Sequence, residues 1–157
     1  MQIRYYKEYS RYLNRDMEFK VYGHAGRPIL IFPCQSGRFF DWEDRNMCNL
    51  AAPWIDAGKL QIIAADSIDR ESWDNDGPAR PRIEMQERWY NYVCEELTPR
   101  ALEINREQGP GHMGKVLMGG ARMGAGRAVN LFLRRPDLYN GTIALSGLYP
   151  ADMFFNG

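Results

Sequence analysis

The sequence predicts an α/β protein built on a mostly parallel β-sheet. Three short, mostly apolar runs, at residues 29–32, 60–65 and 116–118, have the composition of strands that are buried on both faces. Segments with a helical spacing of apolar residues separate these runs or follow them. Because strands that alternate with helices are joined by right-handed crossovers, we expect parallel strands with helices on both faces of the sheet.

The chain is predicted to open with an antiparallel β-hairpin. Residues 3–10 and 17–22 alternate aromatic and charged side chains, as strands with one exposed face do. Residues 13–16, Leu-Asn-Arg-Asp, separate the two runs and are expected to lie at the turn.

Two helical regions are predicted between the buried strands. Residues 43–57 are expected to form one helix that Gly58 closes, and its apolar side carries Leu50, Trp54 and Ile55. Residues 66–82 are a polar loop. Residues 83–107 have near-helical apolar spacing and are expected to be interrupted at Pro99.

Residues 115–133 form the most informative segment, a strand, a glycine-rich turn and a helix. Gly120 and Gly124 frame Arg122 with the spacing of the G-x-S-x-G nucleophile elbow, in which the central residue is serine. Glycines permit a tight, strained turn and a close approach of strand and helix. A serine at the centre attacks carbonyl groups, whereas a guanidinium cannot. The sequence therefore combines the frame of a hydrolase with a side chain that is not a nucleophile.

Length and composition restrict the class of protein. The chain has 157 residues, which predicts a single domain over 1–157. Lys plus Arg and Asp plus Glu number 20 each, so we expect no partnership with nucleic acid or a membrane surface. Three scattered cysteines predict reduced thiols and no metal site, and no cofactor is predicted. With no signal peptide and no apolar run near the ~20 residues that span a bilayer, we expect a cytoplasmic protein.

The order of these segments resembles the esterase branch of the α/β-hydrolases, which includes S-formylglutathione hydrolases, feruloyl and acetylxylan esterases, and mycolyltransferases. The residues that carry the resemblance lie at 15–18, 21–23, 32–39, 66–73, 120–124, 135–139 and 143–147. The resemblance covers essentially the whole chain and implies an α/β-hydrolase-like fold that lacks the last strands. It also implies that the family's catalytic acid and histidine would follow residue 157.

The resemblance further implies an oxyanion hole made of two backbone N–H groups. One would come from Gln35 or Ser36, in the turn after the third strand, and the other from Met123. Backbone donors do not depend on side chains, so an anion site can persist where the nucleophile is absent.

Arg122 would add a positive charge at a helix N-terminus, where anions are already favoured. We expect its guanidinium either to fold over the vacant site and pair with Asp66 or Asp69, or to bind a carboxylate or another anion. A third interpretation is that the arginine was introduced in place of serine.

Neither histidine of the sequence is expected to act as a base at the elbow. His24 lies in the turn after the hairpin, and His112 precedes the elbow strand. Residue 122 is at the far end of that strand, about 20 Å away at ~3.3 Å per residue. A general base must lie within ~3 Å of its proton donor, so no catalytic triad can be assembled from these residues.

Two functions follow from these observations. The chain is either a catalytically inactive protein with an esterase fold that acts in binding or assembly, or a carboxylic-ester hydrolase of which it is an N-terminal portion or elbow variant. Strand 141–146 would lie at the sheet edge, and its apolar residues predict a homo-oligomer through this strand and residues 153–155.

Overall fold

The computed structural model describes residues 1–149 and has the predicted α/β architecture. Its strands are β1 (Ile3–Ser10), β2 (Arg15–Tyr22), β3 (Arg27–Phe32), β4 (Leu60–Ala65), β5 (Val116–Ala121) and β6 (Tyr139–Leu145). They form one sheet in the order β1-β2-β4-β3-β5-β6. Strands β4, β3, β5 and β6 are parallel, whereas β1 and β2 pair antiparallel and join the sheet antiparallel to β4. The predicted hairpin is confirmed, since Ser10 pairs with Arg15 across its turn.

Helices cover both faces of this sheet, as expected. They are α1 (Asp41–Asp44), α2 (Met47–Leu50), α3 (Ala52–Asp56), α4 (Ala79–Tyr92), α5 (Thr98–Asn105) and α6 (Met123–Arg134). A 3-10 turn at Asp69–Glu71 follows β4, and a π-helical turn at Val93–Leu97 joins α4 to α5. Among residues 1–149, none of the helices combines the length and the apolar character that a bilayer crossing needs.

The core is divided by the sheet into a large and a small half. On the face covered by α4, α5 and α6, the buried side chains include Phe32, Ile63, Trp89, Met118 and Leu131. On the face covered by α2 and α3, they include Ile29, Ile31, Cys48, Ile55 and Ile62. The continuous apolar runs of the central strands therefore serve two cores at once, which is why they do not alternate with polar residues.

The single helix predicted over residues 43–57 is wrong. The segment forms the three short helices α1, α2 and α3, which are separated at Asn46 with φ 61° and by Pro53 in the first turn of α3. Proline lacks the N–H that a continuous helix would need at this position. The predicted apolar side is wrong as well, since Leu50 and Trp54 are more than half exposed and only Ile55 is buried.

The interruption predicted at Pro99 is also wrong. The chain stays helical from Ala79 to Asn105, because the π-helical turn changes the hydrogen-bond pattern just before the proline. Pro99 then stands in the first turn of α5, directly after the π-helical turn.

Candidate functional site

The elbow lies between β5 and α6, and Arg122 is the single residue that joins them. Its backbone has φ 53° and ψ −115°, a conformation that residues other than glycine rarely adopt. The Arg122 N–H donates to Leu145 O at 2.9 Å. Its carbonyl accepts from the N–H groups of Gly126 at 3.2 Å and Leu148 at 3.3 Å. These three bonds hold the strained turn that the glycine pattern predicts.

Two glycines allow the strand, the helix and β3 to approach one another at this turn. A Cβ on Gly120 would lie 2.5 Å from the carbonyl carbon of Gly124. A Cβ on Gly124 would lie 2.4 Å from Phe32 O at the end of β3. Both obstacles are backbone atoms, which cannot rotate away as a side chain can.

Gly124→Ala is therefore expected to destabilise the fold by about 3 kcal/mol, the upper part of the range for overpacking a rigid core. The measurement is the free energy of unfolding from urea denaturation. Gly109→Ala is the matched control, because a Cβ there meets nothing within 4 Å. Equal urea midpoints for the two variants would contradict the close approach.

The Arg122 side chain is exposed and forms no ion pair within residues 1–149. The predicted pairing with Asp66 or Asp69 is wrong, since Asp66 accepts from Arg38 Nε at 3.0 Å and Asp69 pairs with Arg127. The physical reason is burial: Asp69 is 1% exposed, and a buried carboxylate needs a partner that is buried with it. The interpretation that Arg122 binds an anion stays a prediction.

Asp66 stands at the end of β4, on the same edge of the sheet as the elbow. Burial raises the pKa of this carboxyl group, while the hydrogen bond from Arg38 opposes the rise. Arg38 also donates to Glu18 at 3.0 Å, so its guanidinium links two carboxylates.

Three of the four amides in the turn after β3 already have acceptors. The Cys34 N–H donates to Asp41 Oδ2 at 3.0 Å, and the Gly37 N–H donates to Cys34 O at 2.9 Å. The Ser36 N–H donates to Asp69 Oδ2 at 2.7 Å. Ser36, one of the two residues predicted to donate to an oxyanion, is therefore occupied by a carboxylate of the protein itself.

The remaining amide of this turn belongs to Gln35, and its N–H has no acceptor within residues 1–149. The Met123 N–H has no intrahelical acceptor either, because Met123 is the first residue of α6. Of the predicted donors, Gln35 and Met123 thus keep N–H groups without an acceptor among residues 1–149. The side chain of Gln35 is anchored separately, with Nε2 3.0 Å from Asp74 Oδ1.

A buried ion pair underlies this turn and was not predicted from the sequence. Asp69 and Arg127 are 1% and 2% exposed, and the Arg127 guanidinium lies 5.4 Å from the centre of the Trp89 ring. Arg127 Nη1 also donates to Pro33 O at 3.4 Å. The partner of Asp69 is therefore an arginine inside the protein and not the one at the elbow.

A sequence signal for Arg127 exists, although it is weak. Met123, Arg127 and Leu131 are spaced four residues apart, so they share one face of α6, and all three are buried. A charged residue in register with buried apolar residues requires a buried counter-charge. The sequence does not say which of the 20 acidic residues supplies it.

The two histidines lie away from the elbow, and the Cys34 thiol is shifted towards its neutral form. His24 lies in the turn before β3, where its ring is next to Gly58. His112 lies before β5, with Nε2 3.2 Å from Lys115 O. Burial raises the pKa of the Cys34 thiol, which favours the neutral form over a nucleophilic thiolate. Within residues 1–149, no cluster of His, Cys, Asp and Glu could hold a metal ion.

A cavity of about 230 Å³ lies along α6 beside the elbow. Its lining includes Trp73, Tyr90, Met123, Val129 and Leu133, so its walls are largely apolar and aromatic. Such walls are typical of sites for small organic groups, and Met123 links the cavity to the elbow.

The comparisons with solved structures show the fold of the esterase-type α/β-hydrolases. A ferulic acid esterase matches with a TM-score of 0.70 at 15% identity, over 94% of this chain and 58% of the esterase. An S-formylglutathione hydrolase from Agrobacterium tumefaciens matches with a TM-score of 0.68 at 16% identity, over 92% and 57%. MPT51 from Mycobacterium tuberculosis matches with a TM-score of 0.70 at 19% identity, over 100% and 55%.

These similarities confirm the fold predicted from the resemblance. The chain spans somewhat more than half the length of these three structures. No protein-family model and no curated protein matches the sequence.

Proposed function

We propose that this chain is a protein with an esterase-type fold that binds a carboxylate or a similar anion at the elbow and does not hydrolyse esters. The observation that carries the proposal is the exposed guanidinium of Arg122, which stands without a counter-charge from residues 1–149 at the N-terminal end of α6. Free N–H groups of Gln35 and Met123 support it, because donors suited to an oxyanion also suit a carboxylate.

The anion site is tested by titration with acetate and with inorganic phosphate at constant pH, followed by calorimetry. Arg122→Gln is expected to weaken binding about tenfold, since it removes one charge-assisted hydrogen bond of roughly 1.5 kcal/mol. Arg88→Gln changes an exposed arginine on α4 and serves as the control. Equal affinity of both variants and the unsubstituted protein would argue against a site at the elbow.

The second candidate function is a carboxylic-ester hydrolase of which this chain is an N-terminal portion or an elbow variant. The observation in its favour is the strained backbone at Arg122, which stores of the order of 1–3 kcal/mol. Strain of this kind is retained where a function uses it. The two candidates differ in what Arg122→Ser does, as argued in the Discussion.

For assembly, we propose a homo-oligomer that forms through strand 141–146. Within residues 1–149, β6 lies at the edge of the sheet, and Ile143 and Leu145 are 49% and 43% exposed. Residues 153–155, predicted in the same contact, lie outside the described residues. Strand edges with exposed apolar residues pair readily with another chain.

Ile143→Lys is expected to lower the mass measured by light scattering at micromolar concentration, because a charge on the edge strand opposes pairing. Leu50→Lys changes an exposed leucine of α2, outside the edge strand, and is the control. A well-folded monomer of the unsubstituted protein would refute this assembly.

The compartment is also part of the proposal. Cys34, Cys48 and Cys94 are free and buried. Reduced thiols support a reducing compartment such as the cytoplasm.

A further inference from the structure

We propose that the buried pair of Asp69 and Arg127 is a positioning pair that decides which backbone amides face the elbow. It engages the Ser36 N–H and thereby leaves the N–H groups of Gln35 and Met123 as the two donors. The inference rests on the anion site of the proposed function and specifies how that site is built.

The turn after β3 is held from two directions. Its backbone is held by Asp69, which accepts the Ser36 N–H at 2.7 Å, and Ser36 itself has φ 53°. Its side chains are held by Asp74, which binds Gln35 Nε2 and Ser36 Oγ. With both sets of contacts in place, the turn cannot rotate to present the Ser36 amide without breaking a bond to a buried carboxylate.

The same carboxylate connects the turn to α6. Arg127 lies four residues after Met123, about one helical turn along α6, and pairs with the second oxygen of Asp69. Its guanidinium also donates to Pro33 O, directly before the turn. The contacts form a closed ring from Pro33 through Ser36, Asp69 and Arg127 back to Pro33. This ring sets the separation between the donor in the turn and the donor on α6.

Burial makes the ring rigid. Asp69 and Arg127 are both almost completely buried, and the Trp89 ring lies against the guanidinium, so neither charge can move into solvent without a change in the surrounding packing. Each partner also makes a hydrogen bond with the backbone, Asp69 with the Ser36 N–H and Arg127 with Pro33 O, and a buried pair anchored in this way admits few alternative geometries. A pair that only fills space would be equally buried, so burial alone does not separate the two roles.

A positioning role and a purely structural role are distinguished by an amide NMR titration of the unsubstituted, nitrogen-15-labelled protein with inorganic phosphate. We expect the Gln35 and Met123 resonances to shift with one shared affinity, while Ser36 keeps a downfield proton resonance throughout, as a short bond to a carboxylate produces. If the Ser36 and Met123 resonances shift and the Gln35 resonance does not, the positioning role is overturned, while the anion site itself is supported. Absence of shifts at all three amides would overturn the proposed function itself.

Variants of the pair extend the test. Asp69→Ala removes the acceptor, so the Ser36 amide should join the titrating resonances and phosphate affinity should fall about tenfold. The neutral pair Asp69→Asn with Arg127→Gln keeps an acceptor for Ser36 and should restore the affinity to within about threefold. Glu71→Gln, beside Asp69 but paired with Arg15, should change neither readout. A lowered melting temperature with unchanged titrating amides in Asp69→Ala would show a purely structural pair.

Discussion

The purified protein is expected to hydrolyse p-nitrophenyl acetate no faster than its Arg122→Ala variant. The elbow carries a guanidinium, which cannot attack a carbonyl, and neither His24 nor His112 lies near the elbow. In subtilisin, loss of the catalytic triad lowers turnover about a millionfold, and the remaining rate comes from the oxyanion hole and binding. Two free amides could supply a similar small background. Initial rates and a burst assay measure it, and a burst with a trapped acyl-enzyme would contradict the expectation.

Arg122→Ser is expected to leave the rate at this background as well. A serine without a base within hydrogen-bond reach remains a weak nucleophile, even on a correctly strained elbow. The variant is assayed together with labelling by a fluorophosphonate probe, and Arg122→Ala is the control. Restored hydrolysis or labelling would show that a histidine reaches the elbow, and it would favour the ester-hydrolase candidate over the binding protein.

Arg127→Met is expected to destabilise the protein by about 3–5 kcal/mol, because it leaves the Asp69 carboxylate buried and unpaired. Methionine roughly preserves the apolar stem, so most of the loss comes from the charge and not from a cavity. The free energy of unfolding from urea denaturation measures the effect. Adding Asp69→Asn to Arg127→Met should recover part of the loss, since no unpaired charge then remains.

Arg80→Gln is the matched control for this effect. Arg80 pairs with Glu84 on α4 at 3.1 Å, with side chains that are 90% and 56% exposed. Exposed i,i+4 pairs contribute only about 0.3–0.5 kcal/mol. If Arg127→Met changes stability as little as Arg80→Gln does, the buried pair is not formed.

The elbow was predictable from the sequence because its causes are local. Gly120 and Gly124 stand at the spacing that a strained strand-to-helix turn requires, and the structure has Arg122 at positive φ between them. The hairpin was predictable for the same reason, since alternation within two adjacent segments determines which face each side chain takes. The similarity to esterase structures extends this agreement to the fold as a whole.

Helix boundaries were less predictable where local preference and packing conflict. Residues 43–57 have a helical spacing of apolar residues, yet Leu50 and Trp54 are exposed and the segment breaks into three pieces. Amphipathic spacing indicates a continuous helix only if the apolar side packs against the core. That condition depends on strands that are remote in the sequence.

The sequence by itself determined the alternation of strands and helices in an α/β fold, the strained elbow and the absence of a serine at its centre, because backbone sterics and hydrophobic periodicity act over a few residues. Tertiary structure decided that Asp69 pairs with Arg127 and not with Arg122, and that the Ser36 amide is occupied while the Gln35 amide is free. These choices depend on which groups are buried together. Burial is a property of segments brought into contact by the whole fold, so no local pattern in the sequence specifies it.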